Sequence, residues 1–213
     1  MLWNKELKDE LYFSHIPRTG GRYVSELIHA NGWSPAKHDY VYFNMKEIIH
    51  LTYNEALHYY KLKKLPNNFS IIRNPVSRFV SASKLISDLP GFDKLDSKDY
   101  FNYFMNKQKV RFRFTKTNYM IMFEGVKNYN NNWFVFQKNF INHDTKLWKF
   151  ENGFETNFFK WISDNVCYVK PTEYTYYNKR DYDYNKTVVL NKELKNNIMD
   201  FYKTDMDLWE SLN

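Results

Sequence analysis

Among 213 residues there is one cysteine, Cys167. An internal disulfide is excluded, and a reducing compartment is expected. No run of about 18 apolar residues occurs, so no membrane-spanning helix is expected. The opening stretch MLWNKELKDEL is charged and has no apolar segment of the secretion-signal kind. The chain also lacks H-E-x-x-H, a cysteine pair, and any tight grouping of His with carboxylates, so no metal is expected. The nucleotide-triphosphate pattern G-x-x-x-x-G-K-[ST] is missing as well. No linker, repeat or low-complexity segment divides the sequence, and residues 1–213 are read as one domain.

What is present is basic and aromatic. Thirty-one Lys and Arg against 24 Asp and Glu give a formal charge of +7, and aromatic residues make up 20% of the chain. Such a balance favours anionic partners: a nucleotide, an acidic glycan or a nucleic acid. The Asn-, Lys-, Tyr- and Ile-rich composition fits an AT-rich bacterial or viral genome, and a cytoplasmic location is expected. Apolar runs at 11–16, 69–72, 146–150 and 166–169 read as strands. Helical patterns fall at 22–30, 45–62, 75–87, 98–106, 156–164 and 192–208. This alternation predicts an α/β fold with a mostly parallel central sheet flanked by helices.

Two segments carry the chemistry. In LYFSHIPRTGGRYV, residues 11–24, a strand is followed by Arg18-Thr19-Gly20-Gly21 and then a helix. Glycines let the backbone approach a ligand closely. The unpaired N–H groups and the dipole at a helix start attract phosphate or sulfate. In FSIIRNPVSRFVSASK, residues 69–84, a second strand delivers Arg73 to a helix that starts at Pro75, with Asn74 as its cap. Ser81 lies about two turns in. Arg78 either reaches the same end or pairs with a carboxylate elsewhere. Two such units suggest a ligand with two separate phosphate-like groups, bound at the carboxyl ends of the strands.

These segments resemble the PAPS-dependent sulfotransferases, in particular the carbohydrate branch whose loop reads H-[IV]-P-K-T-G-G. His15 to Gly21 is similar to that loop. Arg73-Asn74-Pro75-Val76-Ser77-Arg78-Phe79-Val80-Ser81 is similar to the family's R-[ND]-P-x-x-R-x-x-S. Three further blocks follow in the family's order: Phe136-Gln137-Lys138-Asn139-Phe140-Ile141, LWKFENGFETNF at 147–158, and a tail with Arg180 and Phe201-Tyr202…Asp205…Trp209. The resemblance implies a P-loop-like three-layer sandwich. It also implies transfer of a sulfuryl group from 3′-phosphoadenosine 5′-phosphosulfate (PAPS) to a hydroxyl, most simply on a glycan, leaving adenosine 3′,5′-bisphosphate. Arg18, Thr19, Gly20 and Gly21 would hold the phosphosulfate, with Arg18 stabilising the leaving charge. Arg73 and Ser81 would hold the 3′-phosphate.

Departures from the family pattern are concentrated in the loop. Arg18 replaces the usual Lys, and Arg22-Tyr23 stand where the family has hydroxyls, completing the candidate cofactor-binding set. Arginine keeps the charge but is a planar fork. Ser25 is a candidate replacement hydroxyl, and Ser83 replaces a Tyr. For the base, His38 resembles the family's His-containing segment, and Glu47 is the fallback; an imidazole suits deprotonation of an attacking hydroxyl. His15 is expected to support the loop by hydrogen bonding. The segment 173–184, with Lys179 and Arg180, either closes over the 3′-phosphate or forms a surface loop. Competing readings are a basic nucleic-acid binder, suggested by VRFRFTK at 110–116, and a kinase-like P-loop transferase. No nucleic acid and no membrane partner is expected under the favoured reading.

Overall fold

The computed structural model describes residues 1–35, 42–43, 46–87, 134–170 and 190–212. Among these residues seven strands occur: β1 (Leu2–Asn4), β2 (Asp9–Ser14), β3 (Trp33–Pro35), β4 (Tyr42–Phe43), β5 (Lys46–Glu47), β6 (Asn67–Ile72) and β7 (Lys146–Lys149). The α-helices among them are α1 (Gly21–Ala30), α2 (Tyr53–Tyr60), α3 (Pro75–Ser87), α4 (Thr156–Asn165), α5 (Lys192–Phe201) and α6 (Lys203–Glu210). Five strands form one open sheet in the order β3-β1-β2-β6-β7, and β4-β5 is a separate two-residue pairing.

The sheet is mixed. β2 pairs with β6 and β6 with β7 in parallel, whereas β1 is antiparallel to both β2 and β3. The expectation of a mostly parallel sheet is thus corrected: it holds only for β2, β6 and β7. The antiparallel margin comes from two three-residue strands too short to announce themselves. Asn4 makes the first possible, because its buried side chain accepts from the N–H groups of Glu6 (3.0 Å) and Leu7 (3.1 Å) and closes the β1–β2 turn. Pro35 is tolerated because β3 is the edge, where a missing N–H breaks no ladder.

Alternation along the strands sorts the core to two faces. Leu11, Phe69, Ile71 and Trp148 face α1 and α4, where they pack against Val24, Leu27, Ile28, Phe158 and Ile162. On the opposite face Tyr12 packs with Ala56 of α2, and Ile72 with Phe140 and Leu208 of α6. Helices therefore cover both faces. Among the described residues no helix is long and apolar enough to cross a membrane.

Three expected elements differ. Residues 166–169 form no strand: Val166 and Cys167 N–H groups bond to Ile162 O, and Ser163 Oγ bonds both the N–H and the C=O of Val169. These backbone groups are satisfied by the end of α4 instead of by a ladder. The helix expected at 45–62 is confined to Tyr53–Tyr60, preceded by β5 and a 3₁₀ turn at Ile48–His50. Its start is set by a capping box between Thr52 and Glu55. The helix expected at 192–208 breaks at Tyr202 into α5 and α6. The helix expected at 98–106 lies outside the described residues.

Cys167 is buried in the face-one core, and burial pushes its thiol up to about 12. It is a packing residue. Phe158 is fully buried and touches Trp148, Phe154 and Trp161. Phe158→Ala is expected to cost about 3–5 kcal/mol, read as a lowered midpoint in urea unfolding with an unchanged slope.

Candidate functional site

Parallel pairing of β2 and β6 brings their carboxyl ends side by side, with Ser14 opposite Ser70. Ser70 Oγ donates to Ser14 O at 2.7 Å and ties the two exits together. After Ser14 the chain turns at once. Ile16 N–H bonds to Ser14 O, and the buried Thr19 hydroxyl donates to Ile16 O at 2.9 Å. Arg18 (φ +69°) and Gly20 (φ +84°) take left-handed backbone, and α1 starts at Gly21 with no side chain capping it. A left-handed Arg is costly, whereas Gly20 adopts this conformation freely.

Gly21 has no room for a side chain. A Cβ there would overlap the His15 ring. That ring stacks on Phe13 at 5.3 Å and meets His50 edge-on at 4.5 Å. His15 therefore supports the loop by packing, together with its carbonyl, which accepts from His50 Nδ1 at 2.7 Å. Burial, and secondarily the neighbouring His50, hold the His15 imidazole well below its ordinary pKa, so it is neutral.

The second unit is braced from four directions. Asn74 Oδ1 accepts from Val76 and Ser77 N–H (3.0 and 3.2 Å), the cap anticipated from the sequence. Arg73 Nε donates to Ser77 Oγ at 3.0 Å and Nη1 to Arg18 O at 2.9 Å, with the guanidinium 4.3 Å above the Phe150 ring. Gln137 clamps the Arg73 backbone: its Oε1 accepts from Arg73 N–H (3.0 Å) and its Nε2 donates to Arg73 O (2.7 Å). Glu151 accepts from Asn74 N–H at 2.9 Å and from Trp209 Nε1 at 2.8 Å.

Beneath this lies a buried polar brace. Arg78 donates through Nε to Pro17 O and through Nη1 to Val135 O, both at 3.0 Å. Asp205 accepts from Gln137 N–H (2.7 Å) and Lys138 N–H (3.1 Å), and Tyr202 OH donates to Phe134 O at 2.6 Å. Burial lowers the pKa of Arg78 and raises those of Tyr202 and Asp205. For Asp205 the two backbone N–H groups and the Arg78 charge oppose that rise. Of the two options for Arg78, the fold uses it on backbone carbonyls, with Asp205 as a nearby opposite charge.

The sequence candidates are thus partly united. Arg18, Gly20, Gly21, Arg73 and Ser81 converge, and Arg18 Nε donates to Ser81 Oγ at 3.1 Å. Thr19 is at the loop, but its hydroxyl is engaged with Ile16 O. Arg22 is exposed and pairs with Glu26 at 3.1 Å along α1. The Tyr23 ring is buried against Phe154 and its OH donates to Phe154 O, leaving only its backbone for the loop. Ser83 is fully buried, its Oγ without a hydrogen-bond partner among the described residues. His38, Lys179, Arg180 and the 110–116 segment lie outside the described residues. Glu47 is described only as backbone in β5, paired with Tyr42.

Two things escaped the sequence reading. His50 is one of six histidines, no pattern singles it out, and the helical pattern at 45–62 puts it in a helix interior. Gln137 and Asp205 act through bonds to backbone, and Glu151 through one to backbone and one to the Trp209 indole; only their order in the chain is a signal for these roles. Among the described residues no group of three His, Cys, Asp or Glu is placed to hold a metal ion. No protein-family model, no curated protein and no solved structure matches the chain.

Arg78→Met leaves the Pro17 and Val135 carbonyls unanswered and is expected to cost about 2–3 kcal/mol, measured by urea unfolding. His15 gives a pH dependence of known sign. Its pKa is lower folded than unfolded, so its contribution is complete above the ordinary value of 6.5 and is lost as pH falls below it. The melting temperature should decline from pH 7 to 5, and His15→Gln should flatten that decline.

Proposed function

We propose that the chain is a PAPS-dependent sulfotransferase with a P-loop-like arrangement of strand, glycine turn and helix. The observation that carries this reading is the 2.9 Å bond from Arg73 Nη1 to Arg18 O. It sets the two turns side by side, as a shared site for both anionic ends requires. Four sequence blocks that resemble the family meet there: the glycine loop, the Arg73 helix, the Gln137 segment and the Phe150-Glu151 segment.

The donor set suits the proposed ligand. Two guanidiniums, the Ser77 and Ser81 hydroxyls and an uncapped helix start favour a nucleotide with separated anionic groups. Bound there, PAPS supplies a sulfuryl group whose transfer to an acceptor oxygen releases adenosine 3′,5′-bisphosphate. The N–H groups at the start of α1 meet charge on the departing phosphate. Arg73 holds the 3′-phosphate end. A base receives the acceptor's proton as its oxygen attacks.

His50 joins His38 as a candidate for that base. A carbonyl only accepts, so the His15 O contact makes Nδ1 the protonated nitrogen of neutral His50 and Nε2 the basic one. The ring is buried beside His15 at the foot of the loop. The acceptor is a hydroxyl, with a glycan hydroxyl preferred from the branch resembled.

Adenosine 3′,5′-bisphosphate should raise the melting temperature, with about 2.7 kcal/mol added at 100 times its dissociation constant. ATP should do so less, and equal shifts would count against the reading. Transfer of labelled sulfate from PAPS to a panel of glycans and small alcohols tests the activity. Arg73→Ala should weaken nucleotide binding, whereas loss of turnover with binding retained in His38→Ala or in His50→Ala identifies the base.

A further inference from the structure

Arg18 occupies the position where the resembled family has a lysine for the phosphosulfate, yet its side chain turns toward the other end of the cleft. Its Nε donates to Ser81 Oγ at 3.1 Å, and its carbonyl accepts from Arg73 Nη1 at 2.9 Å. Ser81 and Arg73 are the two residues expected to hold the 3′-phosphate. We infer that Arg18 acts at that phosphomonoester end, beside Arg73 and Ser81, and sets the preference for a 3′-phosphorylated nucleotide. The inference rests on the proposed nucleotide site, whose donor it refines.

Geometry supports this from three sides. First, the backbone of Arg18 is left-handed at φ +69°, a conformation that a residue with a Cβ adopts only when its surroundings impose it. Second, the Ser81 bond runs through Nε, a fixed donor of the planar guanidinium fork. A lysine has a single terminal nitrogen and no equivalent of Nε, so it cannot hold Ser81 in this way. Third, a phosphomonoester carries about −1.5 to −2 charges and three acceptor oxygens. Two neighbouring guanidiniums and a hydroxyl match that charge and those acceptors, as they would not match a lone hydroxyl on the ribose.

The sulfuryl end is then left to the glycine turn and the start of α1, which has no side-chain cap and no acidic residue in its first turn. Arg22 adds nothing there, since its side chain pairs with Glu26 on the exposed side of the helix.

Calorimetric titration of the full chain with adenosine 3′,5′-bisphosphate and with adenosine 5′-monophosphate separates the two ends. R18A should weaken the bisphosphate about 10- to 100-fold, the range for charge-assisted hydrogen bonds, and leave the monophosphate unchanged. R18K should restore only part of the loss. Equal losses for both nucleotides would put Arg18 at the 5′ end and overturn the inference while keeping the nucleotide site. No loss for either would reduce the Ser81 contact to a structural latch and overturn it too. Wild-type protein that binds neither nucleotide would overturn the site itself. Should R18A fail to fold in a melting scan, R18K and S81A carry the same comparison.

Discussion

Arg78 is almost wholly buried, and its guanidinium reaches two carbonyls that belong to different parts of the chain, Pro17 in the glycine loop and Val135 some 120 residues later. A buried charge without partners is expensive, and a buried carbonyl without a donor costs about 1–3 kcal/mol. Each group therefore requires the other. Asp205, fed by the N–H groups of Gln137 and Lys138, supplies the opposing charge nearby. Loop, helix α3, the 134–140 segment and the C-terminal helices are locked by one set of mutual obligations. Gln137 then passes that rigidity to Arg73 by holding both of its backbone groups.

The break in the C-terminal helix falls at the same brace, where the Tyr202 hydroxyl reaches Phe134 O and the Asp205 carboxylate reaches residues 137 and 138. The chain turns at Tyr202, and its periodic pattern of apolar residues carries no sign of that. Likewise the apolar run at 166–169 satisfies its backbone through Ser163 and not through a strand. Long apolar runs such as Phe69–Ile72 were legible because burial on both faces leaves little other reading. β1 and β3 were not, since three residues hold no period. In the site, Arg18, the diglycine turn, Arg73 and Ser81 stood out because anion binding demands those residue types. His50 did not, because its role depends on a carbonyl 35 positions away.

The loop's shape is fixed from below by aromatic packing. Phe69 stacks on Phe13 at 4.8 Å and Phe13 on His15, whose ring fills the space a Cβ would need at Gly21. Phe154 and Phe150 do the same beside Gly20. The two glycines are thus required twice, once by backbone geometry at Gly20 and once by contact at Gly21. Phe150 also lies under the Arg73 guanidinium, so one ring touches both the glycine turn and the start of α3. A stacked cation of this kind is oriented as well as attracted.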